Sequence, residues 1–197
     1  MFLTTRSLIS VKGPPPPVSG FATLDPSRTG SAAALSGGNL SLMTSQYGSS
    51  VSNIEKSSGK WYFEAKCVDA SQKATLFGIV PSSSYNKDTY PGAPGNGWCY
   101  SFYDGTSWFN DIVTSYAPNP ELEEWVGCYV DLDAGLIGFI SNGIDRGTIA
   151  TGLPEDTYSV IFGNASSASS GIQTINFGAT SFAWTPPSGY NAGWFNP

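Results

Sequence analysis

Between Phe21 and Tyr190 the chain breaks into short segments of alternating character, with turn residues about every eight to twelve positions. That spacing leaves no room for a long amphipathic helix. The 23 Gly and 14 Pro supply the breaks, and the 11 Phe, 10 Tyr and 6 Trp supply side chains that suit a pleated, half-buried surface. An all-β sandwich or barrel is the expected class.

The segments themselves show period two. In Trp61-Tyr62-Phe63-Glu64-Ala65-Lys66-Cys67, the residues Trp61, Phe63, Ala65 and Cys67 share one face, with Tyr62, Glu64 and Lys66 on the other. Further strands are expected over Asn39–Met43, Ala74–Val80, Trp98–Tyr103, Trp125–Asp133, Leu136–Ser141, Tyr158–Gly163 and Ile172–Phe177. Asn142-Gly143 predicts a type I′ hairpin turn, which needs positive φ at both central residues. Trp61, Phe63, Val130, Leu132, Phe139 and Phe177 are the expected core, with Trp98 and Trp125 also inside strands.

Charge and composition exclude several functions. Charged residues make up 12% of the chain, the net charge is −6, and the basic residues are scattered singly, with no patch for nucleic acid. With no His, imidazole acid–base chemistry, Ser-His or Cys-His nucleophiles and imidazole zinc sites are unavailable. Asp131 and Asp133 share a strand face, but their neighbours offer a metal only backbone oxygens, too few for a calcium site. Glu121, Glu123 and Glu124 read as a solvated loop. Cys67, Cys99 and Cys128 lie too far apart for a CxxC metal site and read as buried hydrophobes. No enzyme activity, metal or cofactor is expected. No run reaches the roughly 18 apolar residues of a membrane span.

Two regions stand out as contact surfaces. Residues 1–19 are expected to form an N-terminal arm: Phe2, Leu3, Leu8, Ile9 and Val11 lie ahead of a stiff polyproline II spacer, Pro14–Pro17. Such a segment is either a strand of the domain itself or an anchor that adds to a partner's sheet edge. Four longer irregular stretches, 26–38, 81–97, 110–124 and 164–171, are the expected binding loops of a rigid scaffold. Tyr85, Tyr90, Trp108 and Tyr116 are the candidate ligand-binding aromatics among and beside them.

The order of motifs resembles the SPRY domain family. Gly59-Lys60-Trp61-Tyr62-Phe63-Glu64 is similar to its signature strand, and Phe77-Gly78-Ile79-Val80 and Gly97-Trp98-Cys99-Tyr100 to the strands that follow. Gly127-Cys128-Tyr129-Val130-Asp131-Leu132-Asp133-Ala134-Gly135 resembles the long hairpin, and Ser141-Asn142-Gly143 its next turn. Asn176-Phe177-Gly178 and Pro186-Pro187-Ser188-Gly189-Tyr190 resemble the closing elements. The family's acidic "GD" entry to the long hairpin is replaced by Glu124-Trp125-Val126-Gly127, and the aromatic pair before its "NG" turn by Phe139-Ile140. The Ala/Gly/Ser-rich lead-in from Gly30 to Gly38 resembles the bacteriophage-encoded type.

The resemblance implies a bent antiparallel two-sheet β-sandwich, a SPRY-like, concanavalin-like jelly roll, over residues 20–190, with 191–197 as a tail. It implies a non-enzymatic binding module. The expected setting is a phage virion, made in the host cytoplasm, where a fibre or tail appendage displays a face for host attachment. The arm would contact other virion proteins or copies of the same chain, and the loops a host-surface glycan or protein. Capsid decoration and an intracellular adaptor that binds a peptide are the alternatives.

Overall fold

In the computed structural model, which describes residues 20–69, 75–168 and 170–196, the chain forms two β-sheets packed face to face. The larger runs in the order β1 (Ala33–Ser36), β2 (Ser41–Thr44), β13 (Gly171–Asn176), β4 (Lys60–Cys67), β9 (Val126–Asp131), β10 (Leu136–Ser141) and β11 (Ile144–Thr151). The smaller runs β3 (Gly48–Val51), β12 (Tyr158–Asn164), β5 (Thr75–Pro81), β6 (Trp98–Ser101), β7 (Thr106–Phe109) and β8 (Ile112–Ser115). Neighbouring strands are antiparallel, apart from the two-residue β14 (Asn191–Ala192), which lies parallel to β4. The one helical element among the described residues is a 3-10 turn, Pro26–Arg28, capped by the Asp25 side chain.

The core forms where the inward faces meet. From β4, Trp61, Phe63, Ala65 and Cys67 point between the sheets, as their alternation predicts. Phe63 meets Phe77 and Phe162 of the opposite sheet at centroid distances of 6.2 and 6.5 Å, and Phe77 stacks on Phe102 at 4.9 Å. Each fully buried ring contributes roughly 1.5–3 kcal/mol relative to an exposed one. Of the expected core residues, Leu132 is only half-buried, because β9 ends at Asp131 and Leu132 enters the turn. Trp98 and Trp125 are likewise half-buried.

Several elements depart from the sequence reading. β7 and β8 pair through Phe109 and Ile112, and the two residues between them, Asn110 (φ 49°) and Asp111 (φ 63°), both have positive φ. They form a hairpin turn like that at Asn142-Gly143 (φ 52° and 68°). An Asn-Asp pair is a weaker signal than Asn-Gly, so β8 was hidden in an expected loop. β1 was hidden similarly in the Ala/Ser lead-in.

The outer face of β4 is covered as well. Tyr62 and Glu64 are both fully buried, although alternation places them opposite the core. Phe182, Trp184 and Tyr190 of the closing segment pack there with Tyr129 and Ile140. Nor do residues 191–196 form a separate tail. Asn191–Ala192 pair with β4, and Trp194 enters the core, where it donates from Nε1 to Ile54 O at 2.8 Å. At this end of the sandwich the Trp194 ring packs against Trp61 and Phe63 of β4. The expected arm, with Phe2, Leu3, Leu8, Ile9 and Val11, lies outside the described residues.

Asp131 and Asp133 tie the hairpin between β9 and β10 to β4. Asp131 Oδ1 accepts from the amides of Asp133 and Ala134, and its Oδ2 lies 2.9 Å from Lys60 Nζ. Asp133 Oδ1 accepts from Gly59 N at 2.8 Å. Burial pushes the Asp131 carboxyl up, but the Lys60 hydrogen bond and the two amides outweigh it and hold the group below its ordinary value. A carboxyl whose folded pKa is depressed adds stability above its unfolded pKa and loses it as pH falls through the folded one. An acid titration of stability should therefore show an Asp131→Asn variant less stable than wild type at neutral pH, with the gap closing below about pH 4. A gap that stays constant with pH would remove this assignment.

Candidate functional site

The loop after β5 folds onto the outer face of the smaller sheet, where it covers Val51, Leu76, Val80, Cys99 and Ile161. Asn96, fully buried, clasps this loop from within. Its Oδ1 accepts from Asn86 N at 3.0 Å, and its Nδ2 donates to Asn86 O and Tyr90 O at 3.2 and 2.9 Å. Gly92 (φ +86°) lies against Trp108 so closely that a Cβ there would stand 2.6 Å from the Trp108 Cβ. The turn between β7 and β8 closes the arrangement: Asp111 N donates to Gly92 O at 2.9 Å, and Gly95 N to Asn110 Oδ1 at 2.9 Å. The loop is thus held at three points.

On this base sits a row of three aromatic rings. Tyr47, 42% exposed, packs on Tyr90 at 5.1 Å between centroids, and Tyr90 meets Trp108 edge to face at 6.2 Å. Tyr90 donates its hydroxyl to Asp111 Oδ1 at 2.6 Å, and Trp108 Nε1 donates to Thr106 Oγ1 at 2.9 Å. The hydrogen bond to Asp111, with some desolvation, pushes the Tyr90 hydroxyl up to about 12, so it remains a neutral donor at any physiological pH. The row offers ring faces and edges bounded by one carboxylate. Such a surface is suited to stacking and hydrogen bonding.

The four candidate aromatics are therefore divided. Tyr90 and Trp108 come together, and Tyr47 joins them. Tyr47 was missed because it stands in a Ser45-Gln46-Tyr47-Gly48 turn, distant in sequence from both. Tyr85 turns inward: its hydroxyl donates to Arg28 O at 2.8 Å and accepts from Ser49 Oγ at 3.3 Å, while the Arg28 guanidinium lies 5.4 Å from its ring. Burial raises its pKa, as suits a strut under the loop. Tyr116 belongs to another part of the molecule. Its hydroxyl donates to Gly147 O at 2.5 Å and accepts from Phe139 N at 3.2 Å, so it fastens the two sheets together.

The other polar groups singled out in the sequence are structural ties. Glu124 Oε1 caps Asn142 N and accepts from Ser141 Oγ, and Glu123 pairs with Lys66 at 3.1 Å. All three cysteines are buried and free. Among the described residues no three His, Cys, Asp or Glu side chains converge in a way that would hold a metal. Nor is any described helix long and apolar enough to cross a membrane.

Comparison with known proteins agrees with this architecture. Residues 60–179 match the family model of the SPRY domain. The SPRY domain of human HERC1 superimposes with a TM-score of 0.64 at 16% identity, over 78% of this chain and 96% of that one. Stonustoxin superimposes with a TM-score of 0.62 at 18% identity, over 79% of this chain and 27% of that one. The chain thus spans about a quarter of the stonustoxin chain. No curated protein matches. At these identities the superpositions carry the fold alone.

Proposed function

Because the chain belongs to the SPRY domain family, a family of protein-binding modules that are generally non-enzymatic, we propose that it is itself a non-enzymatic attachment module of a bacteriophage virion. Its recognition face is the row Tyr47, Tyr90 and Trp108 with Asp111, and its ligand is a glycan or protein of the host surface. The observation that carries this reading is the row itself: rings held by the three-point loop lose little freedom on binding. Preorganised aromatics of this kind dominate binding energy at interfaces. The Ala/Gly/Ser-rich lead-in, the scarcity of charge and the arm with its polyproline spacer support the virion setting. In this reading the arm, Phe2, Leu3, Leu8, Ile9 and Val11, fixes the module to neighbouring virion chains.

The test is binding to host cells by wild type and by Tyr47→Ala and Tyr90→Ala, with thermal melting as control. Each variant should melt within a few degrees of wild type and lose about thirtyfold in affinity, the effect of a hot-spot residue worth roughly 2 kcal/mol. Unchanged binding by both variants removes the face. Recovery of the protein from infected cells but never from purified particles removes the virion setting and favours the adaptor.

A further inference from the structure

A second apolar surface lies where the two sheets end side by side. β8 closes one edge of the smaller sheet and β11 one edge of the larger. Between them runs a groove lined by Trp98, Phe109, Ile112, Thr114, Ile149 and Ala150. Trp98 and Phe109 form its floor, stacked at 4.6 Å with 8° between their planes. Ile112 is 64% exposed and Val113 47%. β8 pairs only with β7 among the described residues, so its other edge presents unpaired backbone groups, which form a template for a further strand.

The groove does not end blindly. At the level of Ile112, the Trp98 ring meets Tyr158 at 6.4 Å, and Tyr158 borders a concavity rimmed by Asp133, Glu155 and Asp156. Tyr158 is itself buried, so the acidic concavity lies one buried ring beyond the Trp98 end of the groove.

Residues 1–19, which lead into Gly20, have the complementary chemistry. They hold five large apolar residues within Phe2–Val11, with Lys12 directly after, and they carry no acid. Arg6 and Lys12 are two of the nine basic residues, so the rest of the chain sets all fifteen acidic residues against seven basic ones. As polyproline II, Pro14–Pro17 would span about 12 Å, a reach that favours a neighbouring copy as the arm's partner.

We propose that the groove between β8 and β11 receives residues Phe2–Val11 of a neighbouring copy, added as a strand on β8. With Val11 at the Trp98 end, Lys12 of that copy meets the Asp133–Glu155–Asp156 concavity. The added strand then runs antiparallel to β8, because β8 starts at that same end with Ile112. The proposal rests on the anchoring role of the arm and names what the arm binds.

Two measurements separate the groove from the anchor. In the first, sedimentation compares wild type with a variant carrying Leu3, Leu8 and Ile9 replaced by Ser, and with Ile112→Lys. Wild type should self-associate, and both variants should weaken association by more than about tenfold, because one loses the buried side chains and the other places a charge in their groove. In the second, full-length Val11→Cys and Ile112→Cys proteins are mixed and treated with a short bismaleimide. A cross-linked heterodimer is expected, with wild type as the control for the buried native cysteines. If the arm variant weakens association but Ile112→Lys does not and no heterodimer forms, the arm anchors elsewhere and the groove assignment falls. If the arm variant associates like wild type, the anchoring role itself falls. A wild type that stays monomeric, or a Val11→Cys/Ile112→Cys double variant that links only within one chain, overturns exchange between copies.

Discussion

Replacing Trp194 by alanine should destabilise the domain by about 3–5 kcal/mol, the usual cost of emptying a large aromatic site. Trp194 is fully buried, and its ring stands 5.8 Å from Phe63 and 6.0 Å from Trp61, two residues of the central strand β4. Its amide donates to Phe177 O and its carbonyl accepts from Ala22 N, so it joins the chain just after β13 to the first residues of the sandwich. A single domain with a margin of roughly 5–15 kcal/mol would keep little in reserve. Urea unfolding is the measurement, and a midpoint within error of wild type would show that this end of the core is dispensable. Truncation after Tyr190 should have at least the same effect, since it removes β14 as well.

The second large effect is expected at Glu64. The side chain is fully buried, and its carboxylate accepts from Tyr62 Oη, Ala183 N and Trp184 N, all at 2.8 Å. Glu64→Ala takes the acceptor from one buried hydroxyl and two part-buried amides, so a loss of about 2–4 kcal/mol is expected. The loss should be local at first. The closing segment that carries Phe182 and Trp184 is held over the outer face of β4 by these bonds and by Trp184 Nε1 donating to Trp125 O at 2.6 Å. Hydrogen exchange should therefore speed up at Ala183 and Trp184 before the core strands respond. Glu64→Gln, which keeps the size and one acceptor oxygen, should cost less than Glu64→Ala. Equal losses for the two would mean that packing, and not the carboxylate, holds the segment.

Both expectations concern residues that the sequence marks as secondary, and the reason is physical. Period-two alternation states which side chains share a face. It does not state whether anything covers that face. Glu64 reads as solvent-facing because a carboxylate on the non-core side of a strand usually is, and the partners that bury it come from 119 and 120 residues away. Trp194 lies beyond the last motif of the family pattern, so nothing local distinguishes it from a tail residue.

The candidate site divides along the same line. Tyr90 is recognisable as a loop-borne aromatic beside Gly- and Pro-rich chain and Trp108 as an aromatic close to a turn, and the Asn142-Gly143 turn and the inward face of β4 follow from local pattern. Turn chemistry and alternation act over a few residues, so a single sequence carries them in full. That Tyr47 completes the row, that Tyr85 is a strut and that Tyr116 fastens one sheet to the other depend on which strands become neighbours. Those pairings join segments more than a hundred residues apart, such as β3 with β12 and β2 with β13. They are settled by the packing of whole faces, so only the tertiary structure decided them.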